Sequence, residues 1–180
     1  MITEKIITGE LISLRQIEMR DCTKRYVEWL NDPEVNQYLE TKWFRQDMES
    51  IEAFVKSQRE NEHSILFAII SNEDNRHIGN IKIGPINMHY RHADISYFIG
   101  DKQFWNKGIA TEAISLVCEF GFGELGLHRI EAGAYAAAVG SWKALEKNGF
   151  QREGVFREQV LLNGEYMDIY RYGLLRSGRS

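Results

Sequence analysis

The run Trp105-Asn106-Lys107-Gly108-Ile109-Ala110-Thr111-Glu112-Ala113 joins a glycine-containing turn directly to the start of an amphipathic helix. A turn of this kind leaves several backbone N–H groups at the helix N-terminus without intrahelical acceptors. Those donors and the positive end of the helix dipole favour phosphate and pyrophosphate groups. The run therefore predicts a site for a phosphorylated cofactor, with the Lys107 ammonium close to it.

Hydrophobic patterns predict the elements that position this run. Alternating or continuous apolar residues predict strands over residues 10–17, 64–71, 77–83, 91–99, 128–135, 150–159 and 166–174. Apolar stripes at helical spacing predict helices over residues 21–30, 47–60, the stretch after Gly108, and 142–147. A doubly wound sheet would alternate strand and helix throughout, and this order does not. The order predicts an α/β (α+β) domain.

The length, composition and net charge of the chain narrow the possible classes of fold, partner and cellular location. A chain of 180 residues with 43% hydrophobic and 27% charged residues predicts one globular domain over residues 1–180. The net charge of −4, without a run of like charges, disfavours nucleic acid as a partner. The 2 cysteines and 5 histidines show no disulfide or metal-ligand spacing, so no metal is expected. No signal peptide or membrane span is visible, which predicts a cytoplasmic protein without a membrane partner.

The segment FWNKGIATEA resembles the acyl-CoA-binding signature of the GCN5-related N-acetyltransferases, and most closely that of the RimJ/RimL-like branch. Trp105, Gly108 and Ala110 match this signature, whereas Asn106 replaces a usual glycine. The resemblance extends from about residue 11 to about residue 175, and the predicted element order agrees with it. It implies a single domain with a mixed, mostly antiparallel sheet of about seven strands flanked by four helices.

The same resemblance implies that acetyl-CoA is the co-substrate. The backbone from Asn106 to Thr111 would hold its pyrophosphate, and the strand that ends near residue 99 would pair with its pantetheine arm. Phe98 and Gly100 match the family positions that make those backbone contacts. The implied cofactor-binding residues are Phe98, Gly100, Trp105, Asn106, Lys107, Gly108, Ile109, Ala110, Thr111, Ala138 and Ser141.

A second block, SWKALEKNGF, also resembles the RimJ/RimL-like branch. Ser141 matches the serine proposed to protonate the departing thiolate in these relatives, and its alternative role is to cap a helix that starts at residue 142. Ala138 stands where the family has an asparagine that touches the cofactor. Leu145 stands where other members have a tyrosine acid, which leaves Ser141 or water for this step.

The resemblance assigns the general base to Asp94, because relatives carry a glutamate at this position. The alternatives are His92 on the same strand face, a water molecule, or no base role for Asp94 at all. A second glutamate of RimL-like members aligns with Val160.

Trp29, Tyr38 and Trp43 lie in the region that lines the acceptor pocket in relatives, so they are candidate substrate contacts. The implied activity is acetyl transfer to a primary amine, either a protein N-terminus or a small amine. The alternatives are a nucleotide-linked amino sugar as acceptor, and a CoA-binding module without catalysis. The oligomeric state stays open, with a homodimer through the last strands as one alternative.

Overall fold

The computed structural model describes residues 5–178, which contain one eight-stranded sheet and five α-helices. The strands are β1 (Ile7–Thr8), β2 (Ile12–Gln16), β3 (Ile65–Ser71), β4 (His77–Asn87), β5 (His92–Ile99), β6 (Arg129–Tyr135), β7 (Gln151–Leu162) and β8 (Glu165–Leu175). The helices are α1 (Lys24–Asn31), α2 (Pro33–Asn36), α3 (Met48–Glu60), α4 (Ile109–Gly123) and α5 (Val139–Lys147).

The sheet order is β1-β2-β3-β4-β5-β6-β8-β7, and every neighbouring pair is antiparallel except β5 and β6. These two parallel strands pair only from His92 opposite Arg129 to Ile95 opposite Ala132. Beyond that point β5 runs on to Ile99 and β6 to Tyr135 without pairing with each other. The centre of the sheet therefore splays open, and backbone groups of both strands are left without a neighbouring strand.

Each face of the sheet packs against its own helices, because successive strand residues point to opposite faces. On β3, Phe67 belongs to the core under α4 and α5, whereas Leu66 belongs to the core under α1 and α3. We call these the α4 face and the α3 face. On β5, Tyr97 packs on the α4 face and Phe98 on the α3 face, so the splay opens onto both sides.

The predicted fold class is confirmed, with one more strand and one more helix than expected. The extra strand, β1, has only two residues and pairs with β2. The extra helix, α2, begins at Pro33, where the sequence pattern indicated only a chain break. Asp32 caps this helix by accepting from the Glu34 N–H at 2.9 Å, and proline is favoured at a first helical position.

Helix α5 begins earlier than predicted. Its N-cap is Ala138, which offers no side-chain oxygen, and the backbone N–H groups of Ser141 and Trp142 bond to the Ala138 carbonyl. The Trp142 indole also donates to the Ala136 carbonyl at 3.1 Å and secures the approach to the helix. Ser141 is therefore the third residue of α5, and the alternative that it caps the helix is wrong. Within residues 5–178, no helix has both the length and the apolar character needed to cross a membrane.

Candidate active site

The turn before α4 has an unusual backbone. Asn106 and Gly108 both adopt left-handed conformations, with φ of 60° and 84°. Asparagine tolerates this region best after glycine, which explains why it can replace the glycine usual at position 106 in relatives. The first α-helical bond runs from Glu112 N to Gly108 O at 3.0 Å, so the N–H groups of residues 109–111 precede the hydrogen-bonded ladder.

A central cleft of about 1270 Å³ begins at this turn, passes through the splay between β5 and β6, and reaches the α3 face. The predicted residues that line the central cleft are Tyr38, Phe98, Trp105, Asn106, Gly108, Ile109, Ala110, Thr111, Ala138 and Ser141. The predicted residues that do not line it are Trp29, Trp43, Asp94, Gly100 and Lys107. The structure thus brings the turn, the end of β5 and the start of α5 around one cavity.

The positive charges at the turn differ from the prediction. Lys107 is exposed and its ammonium lies 5.5 Å from the centre of the Phe104 ring, outside the central cleft. Lys143 and Lys147 of α5 line the cleft instead. Lys143 and Lys147 are four residues apart, which puts both on one side of a helix. This spacing could have indicated the two lysines from the sequence.

Trp105 has a structural contact in addition to its place on the cleft wall. Its indole N–H donates to the Ile99 carbonyl at 2.8 Å and so fastens the turn to the end of β5. This bond fixes the distance between the turn before α4 and the splayed strand.

The backbone groups offered by β5 also differ from the prediction. The Gly100 N–H donates to Ile78 O on the β4 side at 2.9 Å, and a Cβ at Gly79 would collide with the Phe98 carbonyl. Phe98 and Gly100 therefore direct their backbone groups toward β4. Because direction alternates along a strand, Tyr97 and Ile99 direct theirs toward the splay. Packing explains the glycine at position 100 instead, because a Cβ there would overlap the Trp29 indole.

Ser141 meets a tyrosine that the sequence analysis assigned no role. The Tyr97 hydroxyl lies 2.9 Å from Ser141 Oγ and 3.0 Å from the Ser141 carbonyl. Burial raises the pKa of Tyr97 to about 12, so this phenol keeps its proton at neutral pH. Ser141 and Tyr97 thus form a neutral hydroxyl pair at the cleft.

Asp94 does not line the cleft, but it belongs to a network of charges that includes Arg171, which does line it. Arg171 Nη2 donates to Asp94 Oδ2 at 2.9 Å and approaches Glu131 Oε2 at 3.4 Å. Arg129 continues the network, with its Nε donating to Glu131 at 2.7 Å and its Nη1 to Glu153 at 2.9 Å. Burial raises the pKa of Asp94, and the Arg171 hydrogen bond offsets part of this effect. Arg171 is distant from Asp94 in the sequence, so no local sequence pattern predicts this contact.

The three aromatic residues proposed to contact the acceptor separate in the structure. Trp29 is 6% exposed in the core of the α3 face, and Trp43 is 54% exposed outside the cleft wall. Tyr38 lines the cleft, and its ring centre lies 5.5 Å from that of Tyr135. The Tyr135 hydroxyl donates to Glu40 Oε1 at 2.9 Å, and both of these residues also line the cleft. Neither Trp29 nor Trp43 lines the cleft, and their contact with the acceptor stays a prediction.

In the described part of the chain, no group of three or more histidine, cysteine, aspartate or glutamate side chains is arranged to hold a metal ion. What the site offers is backbone N–H groups, two lysines, a splayed strand and a hydroxyl pair. This donor set fits an elongated ligand with phosphates at one end, which is the form of acetyl-CoA.

Comparison with known proteins agrees with this arrangement. The family model for the acetyltransferase (GNAT) domain matches residues 12–151. The uncharacterized N-acetyltransferase p20 of Bacillus licheniformis is 31% identical over 170 residues, which cover 93% of this chain and 94% of that protein. The candidate ribosomal N-acetyltransferase YdaF of Bacillus subtilis is 31% identical over 98% of this chain and 96% of its own length.

Among solved structures, spermidine N-acetyltransferase from Vibrio cholerae in complex with CoA and spermine superposes with a TM-score of 0.85. It is 22% identical and covers 94% of this chain and 98% of its own, so it supports the fold. GNAT acetyltransferases use acetyl-CoA, in keeping with the N–H groups at the start of α4 and the splayed strand. The chain therefore belongs to the GNAT acetyltransferases, with a RimJ-like relationship inside that family, and it is an N-acetyltransferase.

Proposed function

We propose that this enzyme transfers the acetyl group of acetyl-CoA to a primary amine by direct attack of the amine on the thioester. The observation that carries the proposal is the continuity of one cleft. It joins the helix N-terminus at Gly108, the splay between β5 and β6, and the α3 face. A phosphorylated thioester bound from one side can therefore meet an amine that enters from the other.

The turn and α5 hold the phosphate end in this proposal. The N–H groups of residues 109–111 bind the pyrophosphate, and Lys143 and Lys147 neutralise its charge. The splay-facing backbone groups of Tyr97 and the Ile99 N–H hold the pantetheine arm as an added strand would be held, while the Ile99 carbonyl already accepts from Trp105. Main-chain pairing of this kind tolerates changes of side chain, in keeping with the departures of this sequence from the family pattern.

Acetyl-CoA supplies the thioester, and the chain's own side chains handle the protons. The Ser141 hydroxyl, oriented by Tyr97, gives a proton to the departing sulfur. Asp94 accepts the amine proton through a water molecule, since Asp94 itself does not line the cleft. Its raised pKa makes it a stronger base than a free aspartate, and Arg171 keeps it in position.

The proposal does not specify the chemical class of the acceptor amine. A protein N-terminus and a small amine remain the two main acceptors, with a nucleotide-linked amino sugar as the alternative. Of the predicted acceptor contacts, Tyr38 is the one that faces the cleft. Ala138, Leu145 and Val160 replace residues that serve the reaction in some relatives, which leaves Ser141 and Asp94 as the side chains proposed for the proton transfers.

A homodimer through the last strands also remains a prediction. β7 is an edge strand of the sheet, and it exposes Val155, Phe156 and Leu161. Sedimentation at several protein concentrations would show whether these side chains are covered in solution.

The test of the proposed function is a thermal unfolding titration with acetyl-CoA, free CoA and NAD. A ligand at a hundredfold excess over its dissociation constant stabilises the folded state by about 2.7 kcal/mol. Acetyl-CoA and CoA should raise the melting temperature, whereas NAD should not. Thiol release in the presence of amines then separates an enzyme from a binding module. Absence of any shift with acetyl-CoA would contradict the proposal.

A further inference from the structure

The α3 face of the central cleft carries a cluster of hydrogen-bond donors that the proposed reaction does not use. Asn80 and Lys82 lie two residues apart on β4, and Ser96 is the β5 partner of Lys82. All three point to the α3 face and line the cleft. We call Asn80, Lys82 and Ser96 the donor cluster.

Asn80 is the most informative member because it is 3% exposed and only half satisfied. His77 Nε2 lies 2.8 Å from Asn80 Oδ1 and 2.9 Å from the Gly79 carbonyl. A carbonyl can only accept, so Nε2 carries the proton and Asn80 Oδ1 accepts from it. Asn80 Nδ2 is left buried without a hydrogen-bond partner, although it approaches the Tyr26 hydroxyl. An oxygen atom of a ligand would satisfy this donor.

The charges around the cluster favour an anion. The side chains of Lys82 and Ser96 have no ion pair or hydrogen bond with any residue between 5 and 178, although the Lys82 charge is near enough to Asp94 to oppose the rise in the Asp94 pKa. Arg171 also lies beside the cluster, but Asp94 and Glu131 share its charge, so Lys82 supplies the unpaired positive charge. The Arg171 side chain crosses Gly133, where a Cβ would lie 2.9 Å from Arg171 Nη1, and reaches Asp94 on β5.

The carboxylates near the cleft are already engaged. Glu34 pairs with Lys102 at 2.6 Å, and Glu40 accepts from Tyr135 at 2.9 Å. Asp94 shares Arg171 with Glu131. The donor cluster therefore combines the Lys82 ammonium with two neutral groups that have unused hydrogen-bonding capacity, and the uncharged Thr41 hydroxyl on the same cleft is also without a partner.

We propose that the donor cluster of Asn80, Lys82 and Ser96 binds an anionic group, a carboxylate or a phosphate, on the amine that is acetylated. This inference rests on the proposed function. Ser96 lies two residues from Asp94 on the same face of β5, so the anion binds close to the proposed general base. The acceptor is then an amine that carries its own negative charge, and a polyamine is a poor substrate.

The experiment compares matched amines that differ in the charge of one group. The pairs are β-alanine with β-alaninamide and O-phosphoethanolamine with ethanolamine, and spermidine serves as the polycation. Thiol release from acetyl-CoA gives kcat/KM, and calorimetry with CoA-saturated enzyme gives binding where turnover is slow. The two pairs distinguish a carboxylate from a phosphate.

The variant Lys82→Met removes the charge and keeps a similar side-chain length. It should lower the anionic-to-neutral preference at least tenfold, whereas Lys82→Arg should retain most of it. The ratio within a pair cancels differences between the amines themselves. The matched control is Lys56→Met, which removes an exposed lysine of α3 and should leave the preference unchanged.

The outcomes separate this proposal from the function on which it rests. If acetyl-CoA binds but no anionic amine is favoured over its neutral partner, in rate or in binding, the proposal is overturned and the proposed function stands. A preference for spermidine, or a preference that survives in Lys82→Met, also overturns it. If acetyl-CoA does not bind, the proposed function fails first and this inference fails with it.

Discussion

Gly108 allows the phosphate-binding turn to be perturbed without a steric clash. Its φ of 84° is a conformation that L-residues avoid, and an added Cβ would have Leu11 Cδ1 as its nearest neighbour at 3.7 Å. The cost of Gly108→Ala is therefore conformational rather than steric, about 1–2 kcal/mol of unfolding free energy. For a domain of this size each kcal/mol corresponds to about 2–4 °C in melting temperature.

The same change should weaken acetyl-CoA binding. An alanine relaxes away from positive φ and rotates the peptide groups that lead into α4, so their N–H groups no longer converge on one phosphate. A hydrogen bond to a charged group is worth about 1.5–3 kcal/mol, and loss of one such bond lowers affinity about tenfold to a hundredfold. Isothermal titration calorimetry of folded Gly108→Ala with acetyl-CoA measures this loss directly.

Gly164 provides the matched control. It has the same φ of 84°, lies in the β7–β8 turn, and has no atom within 4 Å of an added Cβ. Gly164→Ala should cost a similar amount of stability and leave acetyl-CoA affinity unchanged. Equal affinities for wild type and Gly108→Ala would refute the assignment of the phosphates to this turn.

Three further changes test other parts of the site. Asp94→Asn should slow acetylation at pH values above the raised pKa of Asp94, where the wild-type carboxylate is charged while the amine is still protonated, and it should remove the rise of wild-type activity with pH through that pKa; an unaltered pH–rate profile would exclude Asp94. Tyr97→Phe should lower the free energy of unfolding in urea by about 0.5–1.5 kcal/mol. It should also lower kcat for thiol release, because Ser141 loses the hydroxyl that orients it, and an unchanged kcat would contradict this. Gly100→Ala should destabilise the fold by about 1–3 kcal/mol in the same unfolding experiment, because its Cβ would overlap the Trp29 indole. A variant as stable as the wild type would show that the indole can move.

The sequence predicted the features of this molecule that depend on local patterns. The turn at Gly108 and the apolar stripe of α4 are encoded in adjacent residues, and the element order follows from hydrophobic periodicity. The resemblance to the GNAT family added an acetyl-CoA site between this turn and the end of β5, and the residues of that site stay a prediction. Local patterns were less successful at short elements, since the two residues of β1 leave no periodicity to detect.

Features that depend on pairing between distant segments were missed. Arg171 is 77 residues from Asp94, and Tyr97 is 44 residues from Ser141, so neither contact has a sequence signature. The backbone direction of Phe98 depends on which β4 residue it faces, and a shift of one residue reverses it. Trp29 illustrates a different limit, because an aromatic residue has the same pattern whether it fills a core or contacts a substrate.

Amide hydrogen exchange with and without acetyl-CoA tests the central claim most directly, because the proposed contacts are made by backbone N–H groups. We expect acetyl-CoA to slow exchange in residues 106–111 and at the splayed end of β5, while the β7–β8 turn at Gly164 stays unchanged. Slowed exchange elsewhere, with residues 106–111 unaffected, would contradict the assignment of the acetyl-CoA site.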